Sequence, residues 1–276
     1  MTKKEKKEII IDPTQKQNPV IAALKRIFMA SFAIVVFLII WEVAARLELV
    51  SVPAFFPPVT KIAAALADEA VKGYLWKNIL ISLRRSLLGF GLGLLVAIPL
   101  GLAIGWFKLF GDLVNPLLQV FRNLPTLALL PVFVMFFGIG ELSKVMVILW
   151  GVLWYTLLNT ISGVRSVDPQ LIKAARSMGT GSLRLFGTVV LPAALPFIFT
   201  GMRISATVSI LILIAAEMMG ANRGLGYAMF FYQGNFLIPK MFGYIVVMAI
   251  IGTALSFVLE HIEKRSFRWR DETGST

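Results

Sequence analysis

Charge and hydrophobicity alternate along this chain on the scale of whole helices. Five stretches hold no charged residue: 86–107, 123–140, 145–164, 185–202 and 241–259. A helix of about 18 residues rises roughly 27 Å, close to the hydrocarbon thickness of a bilayer, and each stretch is at least that long. Two further apolar runs are interrupted. Residues 27–41 lead into Glu42, and residues 204–216 sit between Arg203 and Glu217. The runs beginning at Leu185 and Ile204 merge into one region, an interfacial entry helix followed by a span near 197–219. The pattern therefore predicts six spans: 27–45, a second from about Leu87, a third that Asn115-Pro116 and Asn123-Leu124-Pro125 punctuate on its approach and that runs to Phe137, then 143–164, 197–219 and 241–259.

Between the fourth and fifth spans lies the one long segment of the C-terminal two thirds that mixes charge with helical periodicity. It reads KAARSMGTGSLRLFGTVVLP over residues 173–192. Asp168 before Pro169 is a good N-cap followed by proline at the first helical position. Leu171, Ala174, Ala175 and Met178 fall at i, i+3, i+4 and i+7, an apolar stripe on a short helix, with Lys173, Arg176 and Ser177 on its other faces. Gly179 stops the helix, Gly181 prolongs the break, and Ser182 is placed to cap a second helix starting at Leu183. Such a basic amphipathic helix either lies flat on lipid headgroups or docks a protein; these features alone leave both open.

The other segments say more about packing than about chemistry. Pro53, Pro57 and Pro58 break the chain after the first span, and residues 62–71 read as a short amphipathic helix on the outer face. Gly93, Ala97, Gly101 and Gly105 repeat every four residues, a small-residue ribbon that lets another helix approach closely. Pro99 within it is a candidate kink. Ser143 is a plausible N-cap for the fourth span. Asn159 and Thr160, inside that span, face a pore or bond to a neighbouring helix, and packing is favoured. Arg203 and Glu217 are the two ionisable residues expected at membrane depth, at opposite ends of the fifth span. Fourteen positions separate them, roughly 21 Å of helix rise, so they are not a direct ion pair. For Arg203, anchoring by snorkelling is favoured over contact with an anion or lipid phosphate.

Composition agrees with a membrane protein. The 276 residues are 58% hydrophobic with mean hydropathy +0.81, too apolar for a soluble domain of this length. The net charge of +12 does not require nucleic acid. With six spans, 17 of the 27 Lys and Arg fall on the side of both termini, which the positive-inside rule makes cytoplasmic. The absence of cysteine excludes disulfides, thiolate nucleophiles and Cys-based metal sites. The first 20 residues have no apolar core, so no cleavable signal peptide is expected. His261 has no partner at metal spacing and sits at a membrane edge. No phosphate loop, HExxH or nucleophile elbow occurs, and Gly91-Leu-Gly93 lies inside a predicted span without the final glycine of a dinucleotide fingerprint. The chain is expected to catalyse nothing by itself and to hold no metal. Energy for uphill transport would enter from a partner or an ion gradient.

Set beside known sequences, the 173–192 segment resembles the EAA loop of ABC-importer permeases. Ala174-Ala175, Gly179 after three residues, then nine residues and Val189-x-Leu191-Pro192 reproduce both spacings of that loop. Pro196 with Gly201-Met202-Arg203 resembles the continuation. Ala216-Glu217 followed by Gly224-Leu225-Gly226-Tyr227 resembles the family's AE…GLGY stretch. Ser82-Leu83-x-Arg85, Asn123-Leu124-Pro125 and Phe137-Gly138-Ile139-Gly140 are similar as well. The likeness runs from about residue 53 to 270 and is strongest to the nitrate/sulfonate/taurine branch.

The resemblance implies an all-α integral membrane fold, six transmembrane helices with a cytoplasmic coupling helix, the type I ABC importer (MetI-like) permease fold. It implies a domain layout of a cytoplasmic tail at 1–26, a transmembrane permease domain at 27–263 containing the coupling loop 165–192, and a cytoplasmic tail at 264–276. The expected function is the permease subunit of an ATP-driven importer for a small anion, multi-pass in the bacterial inner membrane. The implied partners are a second copy of the chain, two cytoplasmic ATPases that themselves bind ATP and Mg, an extracytoplasmic substrate-binding protein, and lipid. Lys173, Ala174, Ala175, Arg176, Met178, Gly179, Leu191 and Pro192 become the ATPase-coupling residues. One position departs from the pattern: the family glutamate is Lys173 here, a reversed charge near the positive end of a helix. An ion-coupled secondary transporter acting alone is the alternative. Against it, the sequence shows no inverted repeat and no membrane-embedded acidic pair.

Overall fold

The computed structural model describes residues 19–49 and 52–266. The tails expected at 1–26 and 264–276 lie outside these residues except at their inner ends, which are helical. The chain divides into two compact units, Met1–Lys61 and Ile62–Thr276.

In the first unit, α1 (Pro19–Arg46) contains the first expected span but starts eight residues earlier than expected. The proline-broken segment after it folds back on the helix end. Trp41 stacks on Phe56 and donates its indole N–H to the Pro57 carbonyl at 3.1 Å. Glu42, the charge that interrupts the apolar run, accepts from the Thr60 backbone N–H and hydroxyl and pairs with Arg46.

The second unit is built on one central helix. The helices in order are α2 (Val59–Val71), α3 (Tyr74–Trp106), α4 (Lys108–Phe121), α5 (Leu130–Phe137), α6 (Glu141–Arg165), α7 (Pro169–Ser177), α8 (Ser182–Leu185), α9 (Leu191–Met218), α10 (Leu225–Gly234) and α11 (Ile238–Ser266). Helix α6 buries 14 of its 25 residues, so it is covered from several sides, chiefly by α3 and α9. The small-residue ribbon explains the α3 contact. A Cβ on Gly93, Gly101 or Gly105 would sit 2.7, 2.7 and 2.6 Å from Val152, Thr160 and Val164 of α6. Ala97 between them is fully buried. Only residues this small let the two backbones close to that separation.

Among the described residues of this unit, four helices are long and apolar enough to cross a membrane, and a bent pair makes up to five. That pair lies at the third expected span. Asn123-Leu124-Pro125 breaks the chain on the approach to it, as the residues predict, and α4 meets the Thr126–Phe137 segment at 83°. The fifth span is also longer than expected. Residues 182–218 form one apolar helical run in which Phe186–Val190 is a π-helical turn, so there is no separate entry helix. Two expected caps differ. Ser143 lies inside α6, which begins at Glu141 after Gly140, and Ser182 is the first residue of α8, with Gly181 at the cap. Pro99 lies within an unbroken α3.

The pairings order the ends of these helices. Glu217, at the finish of α9, meets Arg85 in the first third of α3 and lies near the start of α6. At the opposite end, Arg203 meets Glu263 of α11, and the Val164 end of α6 meets Gly105 of α3. Two hydrophobic clusters mark the same two ends. One contains Leu75, Leu225, Ala228 and Tyr244, the other Val164, Val190, Ala194 and Ile198.

Candidate functional site

At the α9 finish, the chain reverses through residues 219–224 into α10, and a buried carboxylate holds that turn. Glu217 is fully buried. It accepts from Arg85 Nη1 at 2.7 Å, from the Ser82 hydroxyl at 2.8 Å and from the Gly226 backbone N–H at 2.9 Å. A carboxylate buried this deeply requires a paired cation and satisfied lone pairs, and both are present. Ser82 in turn accepts the Leu225 N–H, and Asn78 Oδ1 accepts the Gly224 N–H. Gly224 has φ +124°, and a Cβ there would overlap the Glu217 carboxylate. This glycine is therefore required both by its backbone conformation and by the space that the carboxylate occupies.

Arg85 extends the network. Its Nε and Nη2 grip Glu141 at the start of α6 (2.6 and 2.5 Å), and Nη1 also donates to the Arg223 carbonyl. One guanidinium thus ties α3, α6, α9 and the 219–224 loop together. Four residues along α6, Lys144 is only 4% exposed and donates to the Gly140 carbonyl at 2.8 Å. The Asn78 amide bonds the Tyr244 hydroxyl, which donates to Glu69 of α2, and Glu69 also accepts from Tyr232 and Lys240. Burial pushes the Glu69 carboxyl up, but the hydrogen bonds from Lys240 and Tyr232 outweigh it and hold the group below the ordinary glutamate range. Burial, and then the bond to Glu69, push the Tyr232 phenol up, so it remains protonated.

The opposite end carries the 173–192 segment. Asp168 caps α7 by accepting the Gln170 N–H at 2.7 Å, and Gly179 takes φ +77° just past the helix, as the residues predict. The apolar stripe, however, does not pack inward. Ala175 is buried, while Leu171 and Met178 are 55% and 78% exposed. Helix α7 meets the core through Ala175 and Ile172. Lys173, Ala174 and Arg176 are exposed beside the stripe. Leu191 is half-buried and Pro192 exposed at the start of α9. The result is an apolar and basic surface facing outward on a helix with a fixed cap and a fixed stop.

The remaining candidates are not brought together. The Asn159 amide donates to Tyr155 O and the Thr160 hydroxyl to Thr156 O, each one turn back on α6. Thr160 lies under Gly101 and Asn159 against Gly201, so helix packing absorbs both. Arg203 forms an ion pair with Glu263 of α11 at 3.0 Å. Burial singles out charges that the sequence reading did not: Arg85, Lys144 and Glu69 are buried as well as Glu217. Sequence reasoning missed them because Arg85 and Lys144 border apolar runs and read as flanking charges, while Glu69 lies in the short amphipathic segment 62–71. A signal was available. Arg85 and Glu217 are opposite charges bordering two different apolar runs, and Ser82-Leu83-x-Arg85 was already a recognisable motif.

Comparison with known proteins places this geometry. The model of the family described as "Binding-protein-dependent transport system inner membrane component" matches residues 89–268. The taurine transport system permease protein TauC of Escherichia coli is 34% identical over 254 residues, 90% of this chain and 92% of that protein. The putative aliphatic sulfonates transport permease protein SsuC of Bacillus subtilis is 33% identical over 240 residues, 86% and 85% of the two chains. A chain from an inward-facing structure of the MetNI methionine ABC transporter superposes with TM-score 0.63 at 20% identity, over 71% of this chain and 98% of that one; that likeness concerns the fold.

Proposed function

This chain belongs to the binding-protein-dependent transport system inner membrane component family, and on that premise we propose that it forms the membrane path of an ATP-driven importer for a small anion of the nitrate, sulfonate or taurine kind. Two copies would line the path, two cytoplasmic ATPases would bind ATP and Mg, and an extracytoplasmic binding protein would deliver the cargo. The chain itself would carry no cofactor. Six inner-membrane spans with both termini cytoplasmic put the α7 end inside and the Glu217 end outside. The likeness to permease proteins of taurine and aliphatic sulfonate transport favours an importer over an ion-coupled transporter acting alone.

The observation that carries the coupling role is the outward-facing stripe of α7. Leu171 and Met178 are apolar and exposed beside Lys173 and Arg176. An apolar helical face with basic flanks suits a groove on a protein partner. From α8 the chain runs through the π turn straight into α9, and only the four-residue turn 178–181 separates α7 from that continuous helix. Because Lys173 reverses the charge of the family glutamate, the ATPase surface opposite it carries an acidic or neutral contact.

The test is purification of the tagged chain from native membrane, reading the ATPase subunits retained and their ATP turnover. Gly179→Pro is the informative variant, since proline is restricted to φ near −65° and residue 179 stands at +77°. Wild type should retain an ATPase, and the variant should lose it or lose its coupling. Lys173→Glu should weaken assembly. Gentle extraction without any ATPase would remove the importer assignment, and unchanged assembly and coupling of Lys173→Glu would remove the charge argument.

A further inference from the structure

We propose that the cavity between the start of α6 and the 219–224 loop is a binding site for a small monovalent oxyanion or sulfonate, and that Lys144 and Arg223 are its principal ligands. The inference rests on the importer reading for its biological sense, but its geometry stands apart. The cavity, of about 340 Å³, is lined by Arg84, Arg85, Lys144 and Arg223 against a single carboxylate, Glu141. Four cationic side chains from α3, α6 and the loop converge on a space large enough for a few-atom anion.

Lys144 is the strongest indication. An ammonium has three N–H donors, and the Lys144 ammonium, on a residue 4% exposed, donates one of them to the Gly140 carbonyl. Glu141 and Glu217 offset its charge only at longer range, so an anion in the cavity would give it a direct charged acceptor. The N-terminus of α6 opens on the same cavity through Gly140 and Glu141, with no side-chain cap on its free N–H groups, which adds positive character there.

The two carboxylates on Arg85 differ in a way that suits exchange. The Glu217 side chain is 0% exposed and the Glu141 side chain 67%. An incoming anion can displace Glu141, which gains water, while Glu217 keeps Arg85 neutralised. The anion then meets the charges of Lys144, Arg84 and Arg223. Arg223 lies in the loop whose next residues are tethered to Asn78, Ser82 and Glu217, so occupation of the site bears directly on that loop.

The experiment is equilibrium binding of radiolabelled methanesulfonate to the purified full-length chain, with nitrate and tetramethylammonium as competitors. Wild type should bind saturably, nitrate should compete and tetramethylammonium should not. Lys144→Met and Arg223→Gln should each weaken binding by about tenfold or more, because each removes a charge-assisted contact. Lys72→Gln, an exposed lysine of the same end paired with Asp68, should bind as wild type does. Arg223 is exposed on its loop, so its variant remains folded and decides the matter if Lys144→Met does not. No saturable binding by wild type, or wild-type affinity in Arg223→Gln, overturns the site. ATP-driven methanesulfonate uptake by the assembled transporter separates the two conclusions. Uptake with unaltered binding in the variants removes the site and leaves the importer. Binding at the site without uptake leaves the site and removes the importer.

Discussion

Arg85 and Glu217, 132 positions apart, meet at 2.7 Å with side chains 5% and 0% exposed. The pair is asymmetric: Glu217 depends on Arg85 as its one cationic partner among the described residues, whereas Arg85 also holds Glu141.

That asymmetry predicts unequal costs. Arg85→Met strands a fully buried carboxylate and should lower stability by about 3–5 kcal/mol. Glu217→Gln leaves Arg85 its second carboxylate and should lower it by about 1–3 kcal/mol. Thermal unfolding of the detergent-solubilised chain measures both. A larger loss for Glu217→Gln would refute the described division of charge.

Gly224→Ala should be severe, at about 3 kcal/mol or more, because it combines a strained backbone with displacement of the Glu217 carboxylate. Gly220→Ala is its control, since a Cβ there meets only Ile139 at 3.9 Å. Equal melting temperatures for the two variants would contradict the loop geometry.

The glycines of α3 should divide in the same manner. Gly101→Ala drives a methyl into Thr160 and should lower stability by about 1–3 kcal/mol. Gly91→Ala meets nothing within 4 Å and should be neutral or stabilising by up to about 1 kcal/mol, as alanine favours the helix. The comparison is a paired unfolding measurement, and a loss at Gly91 matching that at Gly101 would show the ribbon to be irrelevant to the contact with α6.

Acid should weaken the α2 end. Hydrogen bonds from Lys240 and Tyr232 hold the Glu69 carboxyl below its usual 4.5, and Lys72, with a smaller contribution from Lys240, lowers Asp68. A lowered folded value means the stabilisation is complete above the unfolded value and is lost as pH falls through the folded one. Melting temperature followed downward from about pH 7 should therefore drop below about pH 4.5, and Glu69→Gln should flatten that drop. An unchanged acid limb in Glu69→Gln would show that this carboxylate contributes nothing to it.

Much of the architecture was legible because it rests on local rules. Runs of apolar residues long enough for a bilayer have few alternatives to a helix, and a four-residue repeat of Gly and Ala has few uses other than close packing. Asp168-Pro169 and Gly179 delimit α7 through backbone chemistry that needs no tertiary partner, and the spacing from Ala174 to Pro192 pointed to the family. The break at Asn123-Leu124-Pro125 was legible too, but not its angle: hydropathy is blind to direction, so the 83° between α4 and the Thr126–Phe137 segment needed the structure.

The sequence by itself determined which segments are helical and apolar and where α7 begins and stops, through periodicity, capping and composition within a few turns of chain. It also carried the spaced motifs whose resemblance pointed to the family. Only the tertiary structure decided that the α7 stripe faces outward, that Asn159 and Thr160 serve their own helix, and that Arg85, Glu141, Lys144 and Arg223 gather around one cavity. These facts depend on pairings between residues far apart in the chain, and the strength of a buried charge is set by the partner that folding brings to it.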